Sequence, residues 1–358
     1  MSTERNTVRA GGDGKAAGGD ADRPVLEIKG LRVRFKTDAG MVEAVDDVSL
    51  SLGPGRILAL VGESGCGKSV TAMSILRLIR NPGEIAGGEI WLQSKEGRPV
   101  EVLSLPENSD ALFHVRGGVA SMIFQEPMTA LSPVHSIGDQ MCEAVLTHER
   151  VGRREAEQRT VEMLRKVGIP DPGKRLGQYP FEFSGGMRQR VMIAMALICN
   201  PSLLIADEPT TALDVTIQAQ ILQLIRGMRD ELGASVLLIT HDLGVVAQTA
   251  DEVAVMYLGR IVERGDVRAV LKTPMHPYTK GLLESLPGMS VHRRRLRSIE
   301  GSVPSSGDKP PGCPFHPRCP HHQAGLCDVG APPPLESRER GGQAAACLRW
   351  REIEGAPP

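Results

Sequence analysis

Val25-Leu26-Glu27-Ile28 alternates apolar and polar positions and predicts a strand. Val48-Ser49-Leu50-Ser51-Leu52 repeats that pattern. Ile57-Leu58-Ala59-Leu60-Val61 is apolar throughout, as expected of a central parallel strand covered on both faces. Residues 70–79 carry a helical pattern, and helix formers continue over 140–168 until Pro170 and Pro172. Met187, Val191, Ala194, Met195 and Ile198 fall at helical spacing over 187–198. Leu203-Leu204-Ile205-Ala206 predicts a strand, 215–232 a helix, and Val236-Leu237-Leu238-Ile239 another strand. Strand and helix alternate, which predicts an α/β fold around a parallel sheet. Residues 1–23, rich in Gly, Ala and Asp without periodicity, read as a disordered tail. Residues 302–312 read as a linker from their Ser, Pro and Gly content.

Composition narrows the function classes. The 358 residues suffice for about two domains. Lys plus Arg total 42 against 43 Asp plus Glu, a net charge of -1, so no global field holds a polyanion. Aromatics make up 3%, too few for base-stacking platforms, and a general nucleic-acid binder is disfavoured. No run approaches the ~18 apolar residues of a membrane span. The segment Met1-Ser2-Thr3-Glu4-Arg5-Asn6 has no apolar signal region. Seven cysteines without an export signal favour metal ligation or burial over disulfides.

Gly62-Glu63-Ser64-Gly65-Cys66-Gly67-Lys68-Ser69 lies between the third strand and the first helix and matches G-x-x-x-x-G-K-[ST]. Glycines turn the backbone tightly so that successive N–H groups point at a phosphate, and the helix start at Val70 adds partial positive charge. Lys68 supplies a full charge between the β- and γ-phosphates, and the Ser69 hydroxyl is placed to ligate Mg²⁺. Cys66 is either a tolerated small residue or a redox-sensitive thiol. Asp207 and Glu208 end the strand at 203–206, where ligands of open α/β sheets gather. There Asp207 would hold Mg²⁺ and Glu208 would orient and polarise the attacking water. Ser184, Gly185 and Gly186, followed by Met187, open a helix as a second anion site.

Phe183-Ser184-Gly185-Gly186-Met187-Arg188-Gln189-Arg190 resembles the signature sequence of ATP-binding-cassette (ABC) ATPases. That resemblance implies two cassettes paired head to tail, each signature completing the other's site. It also implies roles for further residues. Gln125 would be the Q-loop ligand of Mg²⁺ and water, on the path to a membrane partner. Asp214, in Ala212-Leu213-Asp214, would belong to the D-loop. His241 would bond the γ-phosphate, and Phe35 would stack on adenine. The implied fold is a P-loop NTPase with a RecA-like core, an antiparallel β subdomain and a helical subdomain at about 126–185. Its cassette spans 24–270, followed by an extension over 271–358.

Phe124-Gln125-Glu126-Pro127-Met128-Thr129-Ala130-Leu131-Ser132-Pro133 and Thr273-Pro274-Met275-His276-Pro277-Tyr278-Thr279 are similar to the oligopeptide/dipeptide importer branch. The branch implies an ATPase subunit on the cytoplasmic face of the membrane. Its implied partners are a second, paralogous cassette, two permeases and an extracytoplasmic substrate-binding protein. An importer of another solute, such as nickel or a metal chelate, and a soluble non-transport cassette ATPase stay open as alternatives.

Cys313, Cys319, Cys327 and Cys347 are spaced C-x5-C-x7-C-x19-C. Four thiolates suit a [4Fe–4S] cluster or Zn²⁺, and free, unligated thiols are the third reading; the wide spacing favours the cluster. The importer branch carries such a tail motif. His316, His321 and His322 are alternative zinc ligands. The basic run His292-Arg293-Arg294-Arg295-Leu296-Arg297 reads as a solvated face or a contact with anionic headgroups. Cys142 and Cys199 read as buried small hydrophobes.

Overall fold

The computed structural model describes residues 23–38, 40–95, 97–125, 130–211, 213–285, 299–305, 307–337 and 342–353. Nearly all of the tail at 1–23, the basic run at 292–297, Ala212, and Glu126 to Thr129 lie outside the described residues. Strands β1 (Leu26–Thr37) and β2 (Gly40–Leu52) form a hairpin. Strand β3 (Ile57–Val61) leads through the glycine-rich loop into helix α1 (Lys68–Ile75). Strands β4 (Gly83–Gln93) and β5 (Pro99–Glu101) complete an antiparallel sheet ordered β2-β1-β4-β5.

The second sheet has eight strands. It adds β6 (Ala120–Ile123), β7 (Leu203–Asp207), β8 (Ser235–Thr240), β9 (Glu252–Tyr257), β10 (Arg260–Asp266), β11 (Glu336–Ser337) and β12 (Ala344–Ala345) in the order β11-β12-β10-β9-β3-β8-β7-β6. From β9 to β6 the pairing is parallel; β10, β12 and β11 add an antiparallel edge. Parallel strands buried on both faces favour near-continuous apolar runs, and all residues of β3, β7 and β8 are buried, with polar residues only at the strand ends. The sequence pattern did not single out β6, β9 or β10.

The period of two along β3 divides the core. Ile57, Ala59 and Val61 pack on the face covered by α2 (Ile137–His148), α3 (Arg153–Lys166), α4 (Gly185–Leu197) and α5 (Val215–Leu232). Leu58 and Leu60 pack on the opposite face, against the antiparallel sheet and α1. Truncating Leu60, which is fully buried, to alanine would cost about 2–5 kcal/mol. Helix starts follow side-chain caps: Ser136 accepts from Asp139 N, and Asp214 accepts from Thr216 N and Ile217 N. The helical stretch at 140–168 is two helices, because the chain turns extended at Glu149 and restarts after Gly152. Helix α1 stops at Ile75, short of residue 79, and Arg77 beyond it takes φ 50.

The C-terminal extension is woven into the sheet. Glu263 on β10, fully buried, accepts hydrogen bonds from Met275 N (2.8 Å), His276 N (2.9 Å) and Gln343 Nε2 (2.8 Å). Lys309, in the predicted linker, ion-pairs with Asp46 of β2 at 3.3 Å.

Candidate functional site

The loop after β3 is held in one shape by packing. Gly62 leaves no room for a side chain, since a Cβ there would lie 2.2 Å from the Met256 carbonyl oxygen. Gly67, at φ 105, caps α1, and a Cβ there would lie 2.5 Å from the Ala44 oxygen. Lys68 is buried, and its Nζ donates to the carbonyls of Gly62 (2.8 Å) and Glu63 (3.0 Å). Cys66 is 1% exposed; burial pushes its thiol up, against the pull of Lys68, so it is no surface redox group.

Across the loop lies the C-terminal end of β7. Ser69 Oγ donates to Asp207 Oδ1 at 3.1 Å. Burial raises the Asp207 carboxyl, and the Ser69 hydrogen bond opposes that. Glu208 adopts φ 45, a left-handed conformation rare for a residue with a Cβ. Gln125 Nε2 donates to Glu208 Oε2 at 3.2 Å, and Thr211 Oγ1 donates to the same oxygen at 2.8 Å. His241 Nδ1 lies 3.3 Å from Glu208 Oε1. Burial raises the Glu208 carboxyl, but the hydrogen bonds of Thr211 and His241 and the charges of His241 and Lys68 hold it below its ordinary value. Residues from four separate stretches of the chain, Ser69, Gln125, the adjacent Asp207 and Glu208, and His241, are thus brought to the C-terminal ends of neighbouring strands.

The signature residues are elsewhere. Ser184 caps α4, accepting from Met187 N, and Ser184 and Gly185 are exposed. Among the described residues no hydrogen bond joins 184–187 to the loop 62–69. The signature helix does reach the acidic strand end, because buried Gln189 donates to the Pro209 carbonyl at 2.6 Å. Asp214 is engaged as the cap of α5. Phe35, half-buried, pairs across the sheet with Val42 and Gly83, and its ring occupies the space above Gly83.

The four tail cysteines converge. Cys313, Cys319, Cys327 and Cys347 all line one small cavity, together with His316 and His321. Burial pushes the thiols of Cys313, Cys319 and Cys347 up to about 11. His321 Nε2 is buried there without a hydrogen-bond partner among the described residues. His322 instead lies 3.5 Å from Asp328. Among the described residues no group of three or more His, Cys, Asp or Glu is arranged to hold a single metal ion. Cys142 is buried, whereas Cys199 is only partly so.

Sequence reasoning passed over two residues that bear on the loop. Tyr278 Oη accepts from Glu63 N at 2.9 Å, and Arg318 forks onto the Glu63 carboxylate at 2.7 and 3.1 Å. The Tyr278 side of this contact left a trace in the His-Pro-Tyr element: His276 caps α6 (Pro277–Glu284) through Nδ1, Pro277 opens it, and Tyr278 Oη reaches the loop.

A phosphate loop facing an Asp–Glu pair, with a glutamine and a histidine closing on the glutamate, defines a P-loop ATPase cassette. Residues 45–211 match the ABC transporter family, and residues 262–327 match the C-terminal region of oligopeptide/dipeptide transporters. A putative peptide import ATP-binding protein of Brucella ovis is 51% identical, over 92% of this chain and 98% of its own length. The dipeptide transport ATP-binding protein DppD of Bacillus subtilis is 51% identical, over 85% of this chain and 89% of its own. The dimeric ATP-binding cassette MJ0796, solved with ADP and Pi, is 25% identical with a TM-score of 0.59, covering 68% of this chain and 99% of that one. The chain belongs to the ABC transporter family, as an ATP-hydrolysing cassette subunit. No helix among the described residues is long and apolar enough to cross a membrane.

Proposed function

We propose that this chain drives import of di- or oligopeptides by hydrolysing ATP beneath a pair of membrane permeases. The observation that carries the enzymatic part is the grip on Glu208 by Gln125, Thr211 and His241 beside the Ser69–Asp207 pair. The peptide part rests on the relatives named for peptide import and on the matched C-terminal region.

Lys68 and the amides of the loop Gly62–Ser69, with Val70 behind them, hold the β- and γ-phosphates, and Phe35 stacks on adenine. The oxygens of Ser69 and Asp207, 3.1 Å apart, are hard donors that with the amide oxygen of Gln125 would hold Mg²⁺, and the ion when bound would neutralise phosphate charge. Glu208 accepts a proton from the attacking water, and His241 orients the Glu208 carboxylate and meets the γ-phosphate. Ser184, Gly185, Gly186 and Met187 cap the γ-phosphate of a partner cassette, a paralogue, and Asp214 lies at the same interface. Loss of the γ-phosphate removes that bridge and lets the cassettes separate.

An apolar groove lined by Leu76, Phe124, Leu131, Met192 and Met195 opens near Gln125 and supports docking of a permease there, on the cytoplasmic face. A binding protein outside the membrane delivers the peptide. The four soft thiol ligands that line one cavity would suit a [4Fe–4S] cluster or Zn²⁺, and their wide spacing along the chain favours the cluster. Such a cluster, when bound, supplies a covalent staple for the tail.

The test is co-purification with peptide-importer permeases from the same cell, followed by ATPase assays with binding protein and dipeptide, oligopeptide or nickel chelate. Stimulation by peptide supports the reading; stimulation by nickel chelate alone replaces it.

A further inference from the structure

Glu63 places a carboxylate inside the very loop that, on the reading above, receives a triphosphate. Its backbone carbonyl already binds Lys68 Nζ at 3.0 Å. A free Glu63 carboxylate would repel the phosphates and compete for the Lys68 ammonium. The fold deals with this charge from a distance of 255 residues. Arg318 is in the short turn His316–Arg318, next to Cys319, and its side chain is only 4% exposed. Its two terminal nitrogens reach both Glu63 oxygens, at 2.7 and 3.1 Å, the forked geometry that a guanidinium offers and an ammonium does not. Arg318 Nε donates to the Glu300 carbonyl at 3.2 Å. The guanidinium lies over the Tyr257 ring at 5.9 Å, and Tyr257 packs on Tyr278 (4.7 Å) and Phe315 (5.3 Å). Tyr278 in turn accepts the Glu63 N–H. Both ends of Glu63, amide and carboxylate, are therefore held by the C-terminal extension.

We propose that Arg318 is a positioning residue of the phosphate loop, and that the C-terminal extension through it sets the affinity of this subunit for MgATP. Arg318 neutralises Glu63, keeps that carboxylate off Lys68, and so leaves the ammonium to the phosphates. The turn that carries Arg318 also carries His316, which lines the cysteine cavity. The inference rests on the nucleotide reading of the site.

Equilibrium titration of MgATP onto the purified full-length chain tests it, with Arg318→Ala, Arg318→Lys and the double variant Arg318→Ala/Glu63→Gln. Arg318→Ala weakens binding on the order of tenfold, from the unpaired charge left behind. Arg318→Lys, which keeps the charge without the fork, weakens it less. The double variant regains most of the loss, because the exposed carboxylate is gone; a merely structural defect of the extension would not be repaired this way. In turnover assays Arg318→Ala raises KM more than it lowers kcat. Unchanged affinity in Arg318→Ala overturns the inference, and so does a loss that Glu63→Gln does not repair. Failure of the wild-type chain to bind MgATP at all overturns the nucleotide reading itself.

Discussion

Glu208 Oε1 lies 3.3 Å from His241 Nδ1, while Oε2 takes hydrogen bonds from Gln125 and Thr211. These partners fix the carboxylate's orientation and hold its pKa below the ordinary value, which keeps it ionised, as the proposed base must be. Glu208→Gln keeps the shape and removes the base. It is expected to bind MgATP normally and to hydrolyse it at least about a hundredfold slower, measured by nucleotide titration beside steady-state turnover. Near-normal turnover would take Glu208 out of that role.

Ser184 and Gly185 are exposed, apart from the loop of their own chain. Ser184→Arg is expected to leave MgATP binding intact and to cut hydrolysis on the order of 10²-fold, because the cap over the partner's γ-phosphate is lost. Sedimentation with ATP should report weaker cassette pairing in the same variant. Full-speed hydrolysis by dilute, monomeric Ser184→Arg would contradict the shared site.

Tyr278 is fully buried, and its hydroxyl is the partner of Glu63 N. Tyr278→Phe leaves that N–H unpaired at a cost of about 1 kcal/mol. Calorimetry should find Tm lower by roughly 2–4 °C.

Iron and acid-labile sulfide are expected in protein purified without air, with both lost together in Cys319→Ser or Cys347→Ser. Stoichiometric zinc in the wild type would replace the cluster reading.

His148 is half-buried beside the groove, and burial, then the charge of His114, lower its pKa, with Glu149 opposing. The unfolded chain takes up this proton near pH ~6.5 and the folded chain only at lower pH. The unfolded state therefore binds more protons in that window, and stability is lost as pH falls below ~6.5. Thermal melts between about pH 7 and about pH 5 should fall less steeply for His148→Gln than for wild type.

The chemistry that is local along the chain was legible in the residues. A phosphate loop needs consecutive amides, one lysine and one hydroxyl, so Gly62 to Ser69 carries its own meaning, as does the apolar run ending in Asp207 and Glu208. The same holds for β3, whose unbroken apolar pattern states that both faces are covered. Strand β10 escaped the pattern because only Ile261 and Val262 of its seven residues are apolar, and β9 because its short apolar run at 253–257 adjoins it with no marked turn signal beyond Gly259. The antiparallel edge from β10 to β11 depends on a hairpin return and a late segment that periodicity cannot place.

What the sequence by itself determined is which groups are present to hold a triphosphate and in which short motifs. Only the tertiary structure decided that Gln125 and His241 close on Glu208, that four scattered cysteines share one cavity, and that Arg318 answers the charge of Glu63. The physical reason is that hydrogen bonds and ion pairs act over a few ångströms of space, whereas the chain sets neighbours only along its own contour.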